Sequence, residues 1–198
     1  GILERFTDLF VQKAARLNIG DPLDEKTFMG PLINDSAVKK FNDYCALAWQ
    51  QRARVLLDTR TDLQGLFVSP FIYTMEHDNK ATVLQEEVFG PHVGIISFNT
   101  IEEAAYIYNA TPYGFAIAVC TNDYRKVKYI RDHCDFGVGY VNLPTIGAEV
   151  HLPFGGVKRR GSGKPSARAL IDAVTHRVSW TVNYGQTIKL AQGLSADI

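Results

Sequence analysis

Leu3, Phe6, Phe10, Ala14 and Leu17 recur at steps of three and four residues, which predicts an amphipathic helix at the start of the chain. Gly20-Asp21-Pro22 ends it, with glycine as the C-terminal cap. Residues 21–34 read as loop, broken by Pro22, Gly30 and Pro31. Asp35 or Ser36 can cap a second helix that carries Val38, Phe41, Cys45, Ala48 and Trp49 on one face. Arg54 to Leu57 is a short apolar strand, and Leu66 to Met75 a longer one in which Pro70 argues for an edge or a bulge. His92 to Phe98 is a further buried-strand run. Thr100-Ile101-Glu102-Glu103 is a capping box at the head of a helix bearing Ile101, Ala104, Ala105 and Tyr108. Gly114 to Thr121 is apolar and uncharged, Asp123 to Cys134 repeats at helical spacing, and Gly137 to Leu143 is another short strand. A last helix runs from about Pro165, a residue suited to a first helical turn, to Val174.

Apolar runs without alternation, separated by helices, argue for a sheet covered on both faces. The fold class expected is therefore α/β: three αβα layers around a mostly parallel sheet. Residues 1–176 form one unit, and 177–198 an appendage. Within it Arg177 to Tyr184 alternates strictly, with Val178, Trp180, Val182 and Tyr184 on one face. That is a half-buried strand whose ladder needs a partner, either in the sheet of its own chain or in a second copy.

Composition narrows the function classes. The 198 residues are 46% hydrophobic, and 21 basic side chains balance 21 acidic ones. Zero net charge argues against nucleic acid or an anionic membrane as partner. No apolar run reaches the roughly 20 residues that span a bilayer. Cys45, Cys120 and Cys134 form neither a CxxC nor a Cys/His ligand pattern, so no metal site is expected. An odd cysteine count with no disulfide framework points to a reducing compartment, the cytoplasm. A start at Gly1 rather than Met suggests a processed or truncated product.

Two stretches carry the candidate chemistry. One is Gln85-Glu86-Glu87-Val88-Phe89-Gly90-Pro91, a turn between strands that is expected at the carboxyl end of a sheet. The other is Leu152-Pro153-Phe154-Gly155-Gly156-Val157-Lys158, followed by Gly161-Ser162-Gly163. A carboxylate accepts two hydroxyls at once, and an aromatic face fixes a flat ring. The same residues also suit a helix-capping carboxylate and a core phenylalanine, and the glycines suit a plain loop. Lys158, Arg159, Arg160 and Lys164 read as a solvated basic cluster.

Together these stretches resemble the aldehyde dehydrogenase superfamily, over about Phe6 to Tyr184. The resemblance implies oxidation of a small-molecule aldehyde to a carboxylic acid with NAD or NADP, through a cysteine thiohemiacetal and a thioester. It implies that Glu87 binds the nicotinamide ribose, that Phe89 packs beside the nicotinamide, and that Phe154 lines the substrate tunnel. Glu149 and His151, in the segment that varies with substrate, are placed to touch a polar substrate end. Asn142, Gly155 and Gly156 support the loops. It implies further that residues 177–184 cross to a neighbouring subunit of a homo-oligomer.

Departures bound the expectation. Lys164-Pro165 stands where Arg-Glu is usual in the family. No cysteine matches the nucleophile, no general-base glutamate is found, and no strand–glycine–helix dinucleotide unit is visible. The chain thus resembles the later part of the catalytic domain plus the oligomerisation strand, inactive in isolation. The alternatives are a shortened relative kept for binding or assembly and, more distantly, a reductase of acyl phosphates or acyl-CoA.

Overall fold

The computed structural model describes residues 2–59, 64–147, 149–161, 163–164, 166 and 169–186. The chain opens with α1 (Leu3–Ala14) and α2 (Asp35–Gln50), followed by β1 (Arg54–Asp58), β2 (Phe71–Thr74), α3 (Thr82–Gln85) and β3 (His92–Ile95). β2 lies between the other two strands, antiparallel to β1 and parallel to β3. Its side chains alternate as a strand requires. Phe71 and Tyr73 enter a cluster with Phe41 and Ala48 of α2, Val83 of α3 and Val88. Ile72 enters the opposite cluster with Leu57, Ile95 and the α1 residues Phe10, Val11 and Ala14. Helices therefore cover both faces, and the three-layer αβα arrangement is local to this sheet. Phe71, Ile72 and Tyr73 are each 1% exposed, the deepest large side chains among the described residues.

α4 (Ile101–Asn109), β4 (Tyr113–Gly114), β5 (Ala116–Val119), α5 (Tyr124–His133) and β6 (Val138–Val141) form a second unit. β5 and β6 run parallel, and both helices share a cluster with Ile117 and Val119. β7 (Val157–Lys158) returns antiparallel to β4, and α6 (Ala169–Val174) follows. The class is α/β, with two parallel and two antiparallel ladders.

Several boundaries differ from expectation for identifiable reasons. α1 ends at Ala14, well before Gly20, and leaves Leu3 and Phe6 exposed. Asn34, not Asp35 or Ser36, caps α2: its backbone is extended and its Oδ1 accepts from the Ala37 amide at 2.9 Å. β2 starts directly after Pro70, which has no N–H for a ladder. The apolar run 114–121 divides at Phe115, whose carbonyl accepts from both Gly137 and Val138 at 2.9 Å. Cys120, near the end of that apolar run, is exposed just past β5. The capping box forms: Thr100 Oγ1 accepts from the Glu103 amide at 3.2 Å, and Glu103 reaches back to the Asn99 amide at 2.7 Å.

The alternating segment 177–184 adopts no strand and joins no ladder of its own chain among the described residues. Val178, Trp180, Val182 and Tyr184 are all exposed, Tyr184 at 96%. Of the expected tail, residues 187–198 lie outside the described part, as does the Pro165 start of the last helix.

Candidate functional site

The 86–91 turn connects α3 to β3. Because β3 runs parallel to β2 with His92 opposite Phe71, the turn lies at the amino ends of these strands. The expected carboxyl-end placement is thus corrected: a parallel return after β2 delivers the chain to the starting end. The Phe71 amide closes the junction by donating to the Pro91 carbonyl at 2.8 Å. Val88 points into the core. Gly90 lies so close to α2 that an added Cβ would stand 2.6 Å from the Phe41 ring.

The two neighbouring glutamates diverge. The Tyr44 hydroxyl of α2 donates to the Glu86 carboxylate. The Lys40 ammonium donates to the Glu87 carbonyl at 2.6 Å. With one side chain and the next carbonyl tied to α2, the Glu87 carboxylate is turned away from it. It meets Arg160, with Nη2 to Oε1 at 3.3 Å, and both side chains remain about two-fifths exposed, at 41% and 40%. Phe89 has φ 56°, a left-handed conformation that a bulky residue rarely holds. The residue is 68% exposed, an arrangement that folding alone does not reward.

The Arg160 guanidinium lies 5.8 Å from the Phe89 ring centroid and 5.3 Å from that of Phe115. Phe115 in turn meets Phe154 edge to face at 5.2 Å. The structure therefore brings Glu87, Phe89 and Phe154 into one contact chain through two residues not expected at the site, Phe115 and Arg160, the latter read from the sequence as solvated. A groove of about 160 Å3 lies beside Glu87, Arg160 and Phe115, bounded also by Leu84, Thr111 and Tyr113. A larger one of about 430 Å3 runs past Glu87, Phe89, Gly90 and His92. No helical or strand period marked Phe115, and Arg160 lies 73 residues from its partner.

The glycine loop is held by its backbone. A Cβ on Gly137 would overlap the Gly155 carbonyl and come within 2.7 Å of Gly156 Cα. A Cβ on Gly156 would stand 3.0 Å from the Gly114 carbonyl. Lys158, at φ 56°, donates from Nζ to the Asn109 and Thr111 carbonyls at 2.9 and 3.3 Å and pairs with Asp135 at 3.5 Å. Its charge thus sits at the carbonyl end of α4, where the helix dipole favours a cation. Lys158 and Arg160 are consequently engaged with named partners, not simply solvated. Asn142, at φ 54°, follows β6 and exchanges two bonds with Thr121: Oδ1 accepts from its amide at 2.9 Å and Nδ2 donates to its carbonyl at 3.0 Å. Glu149 and His151 stand exposed on the segment before Phe154, outside the contact chain.

A profile of the Aldehyde dehydrogenase family matches residues 1–179. The chain belongs to this family. It is similar to Aldehyde dehydrogenase family 7 member A1 of Malus domestica, 32% identical over 197 residues that cover 98% of this chain and 38% of that protein. To 4-trimethylaminobutyraldehyde dehydrogenase of Sus scrofa it is 34% identical over 179 residues, 86% of this chain and 36% of that one. Among solved structures, an aldehyde dehydrogenase of Pseudomonas syringae complexed with NAD+ and octanal matches with TM-score 0.78 at 27% identity, over 85% of this chain and 35% of that chain. Betaine aldehyde dehydrogenase of Staphylococcus aureus in complex with NAD+ matches with TM-score 0.80 at 26% identity, over 92% and 40%. The chain spans less than two-fifths of the length of these two curated relatives, at 38% and 36%.

The cysteines of this aldehyde dehydrogenase chain differ in surroundings. Cys45 packs against the core on α2, and burial, then the Asp58 charge, push its thiol up to about 12. Cys134 caps α5, and burial raises it as well. A thiol raised in this way is protonated near neutral pH and a poor nucleophile. The His92 imidazole is wedged against the Phe41, Phe71 and Tyr73 rings, and burial lowers its pKa.

Proposed function

We propose that the chain is the C-terminal part of an NAD(P)-dependent aldehyde dehydrogenase that oxidises an aldehyde to a carboxylic acid. Residues 1–176 make the later part of its catalytic domain, and 177–198 an oligomerisation strand and tail. One observation carries the reading: a half-exposed Glu87 carboxylate beside a Phe89 ring held exposed at positive φ. These two groups fit a nicotinamide riboside. When bound, the dinucleotide supplies the hydride acceptor. Glu87 offers the oxygen that Arg160 does not engage to the ribose hydroxyls. Phe89 presents a ring face or edge against a flat ring. Phe154 forms an apolar wall for the aldehyde, and the exposed Glu149 and His151 on the segment before it are the candidates to touch a polar substrate end.

The nucleophilic cysteine and the general-base glutamate come from outside these 198 residues. The raised thiols of Cys45 and Cys134 support that assignment. The isolated chain then forms no NADH from aldehydes at high protein concentration. Turnover that thiol alkylation abolishes would overturn this and make one of the three cysteines the candidate. In the complete enzyme, Glu87→Gln keeps shape but weakens a charge-assisted bond worth roughly 1.5–3 kcal/mol. Steady-state and single-turnover kinetics should show a looser cofactor or slower hydride transfer, with aldehyde binding less affected. An unchanged cofactor KM and hydride-transfer rate would return Glu87 to a structural role.

The exposed Val178, Trp180, Val182 and Tyr184 support pairing of residues 177–184 with a second copy, in a two-fold homo-oligomer. Deleting residues 177–198 should convert oligomer to monomer in light scattering, and a truncated chain that stays a dimer would refute the assignment. Three free cysteines support a cytoplasmic setting.

A further inference from the structure

Arg160 is one of the two residues that join the cofactor-side and aldehyde-side groups, and the function above assigns it nothing. Its position is constrained from three directions. The guanidinium pairs with Glu87 Oε1 at 3.3 Å, and it lies over both the Phe89 and Phe115 rings. Its backbone is fixed as well: the Arg160 amide donates to the Val157 carbonyl at 3.1 Å, and its Cβ lies where a Cβ on Gly156 would stand 2.8 Å away. An arginine stacked on aromatic faces loses less freedom on pairing than a lysine would, because its planar fork is already oriented.

Glu87 lacks an equivalent restraint of its own. Its carbonyl is tied to Lys40, but its carboxylate has a single ion-pair partner among the described residues, Arg160. A glutamate side chain free to turn would spread its carboxylate over many positions and lose binding through that disorder. Arg160 fixes one carboxylate oxygen and leaves the other available. Phe115, on which the guanidinium rests, is also the surface against which Phe154 packs.

We propose that Arg160 is a positioning residue: it aims the Glu87 carboxylate at the nicotinamide ribose and makes the glycine loop set the geometry of the cofactor-side turn. This rests on the reading of Glu87 as a ribose ligand given above. The alternative relation, in which Arg160 competes with the ribose for Glu87, predicts the opposite sign of effect.

The test uses the complete protein and NAD+ binding by calorimetry without aldehyde, so that no turnover is needed. Arg160→Met keeps length and apolar contact but removes the charge and the fork. It should weaken NAD+ binding about fivefold, the scale of a partly exposed ion pair. Arg160→Lys should fall between the wild type and the Met variant. The double variant with Glu87→Gln should bind no more weakly than Glu87→Gln alone, because the arginine acts through that carboxylate. In the ligand-free protein, thermal midpoints of the wild type, Arg160→Met, Glu87→Gln and the double variant should show the two substitutions to be non-additive. Unchanged or tighter NAD+ binding by Arg160→Met, with Glu87→Gln still weakened, overturns the positioning role alone. Unchanged binding by Glu87→Gln overturns both this proposal and the ribose reading beneath it.

Discussion

The two site loops reach the same place by different means. The 86–91 turn is short and is held from outside by α2 side chains: Phe41 against Gly90, Tyr44 on the Glu86 carboxylate, Lys40 on the Glu87 carbonyl. The 142–161 stretch leaves the carboxyl end of β6 and returns until Gly155 and Gly156 lie against Gly137, at the strand's amino end. There it is held by backbone packed on backbone, with Lys158 bonded to the carbonyls of Asn109, the last residue of α4, and Thr111 just past it. One loop thus depends on side chains that can adjust, the other on main-chain contacts that cannot. Phe89, Phe115 and the Gly137 crossing all lie just before the first residue of a strand, His92, Ala116 and Val138 respectively. The candidate site is therefore gathered at strand amino ends.

The largest effect expected from this difference is at Gly137. Gly137→Ala drives a Cβ into the Gly155 carbonyl, and no rotation relieves it because both partners are main chain. We expect a loss of about 3 kcal/mol or more in unfolding stability, the upper range for overpacking. Denaturant melts would show it as a lower midpoint. A loss under roughly 1 kcal/mol, the size of an ordinary substitution, would show that the crossing yields and would erase the contrast between the loops.

Gly90→Ala probes the adjustable loop. The new Cβ would stand 2.6 Å from the Phe41 ring, which is buried at 4% exposure but can tilt. The expected cost is about 1–2 kcal/mol, below that at Gly137. A second consequence distinguishes it: the 86–91 turn shifts, so NAD+ binding by the complete enzyme weakens along with stability. If Gly90→Ala costs as much as Gly137→Ala, the α2 contact is as unyielding as the backbone crossing.

The same contrast explains what could be read from the sequence. Local rules located the capping box at Thr100 and Glu103 and the inward Phe41 and Ala48 of α2, because each involves residues a few positions apart. They carried the α2 stripe on to Trp49, which is exposed, and began the second strand at Leu66 although it starts at Phe71. They also drew attention to both glycine-containing stretches. They missed what depends on distant residues. Nothing near Arg160 announces a partner in the 86–91 turn, and a run of small polar and basic residues reads as solvated. Phe115 sits inside an apolar run whose break comes from a doubly accepting carbonyl, which depends on Gly137 and Val138. Asn34 outcompeted Asp35 and Ser36 as cap through one backbone angle that composition does not encode. The 177–184 alternation is legible as a strand, but its ladder partner is not in its own chain among the described residues.

The smallest effect concerns the packing beneath the 86–91 turn. His92 follows Pro91 and lies against Phe41, Phe71 and Tyr73, where burial lowers its pKa from the ordinary value of 6.5. Its bond to the Tyr44 backbone acts in the opposite direction and is the weaker influence. The lowered value means that the unfolded chain takes up a proton before the folded one does. Above about pH 6.5 neither state is charged, and His92 makes no contribution to pH dependence. As pH falls through that value towards the lowered one, the unfolded state gains a proton and the folded state loses stability. His92→Phe keeps an aromatic among aromatics and removes the titration. Between about pH 7.5 and about pH 5.5 the wild type should therefore lose more denaturant resistance than His92→Phe, the window in which a histidine of ordinary pKa titrates. Equal losses in the two proteins would mean that the imidazole finds water or a proton acceptor on charging, and that this side of the turn adjusts as readily as its α2 contacts.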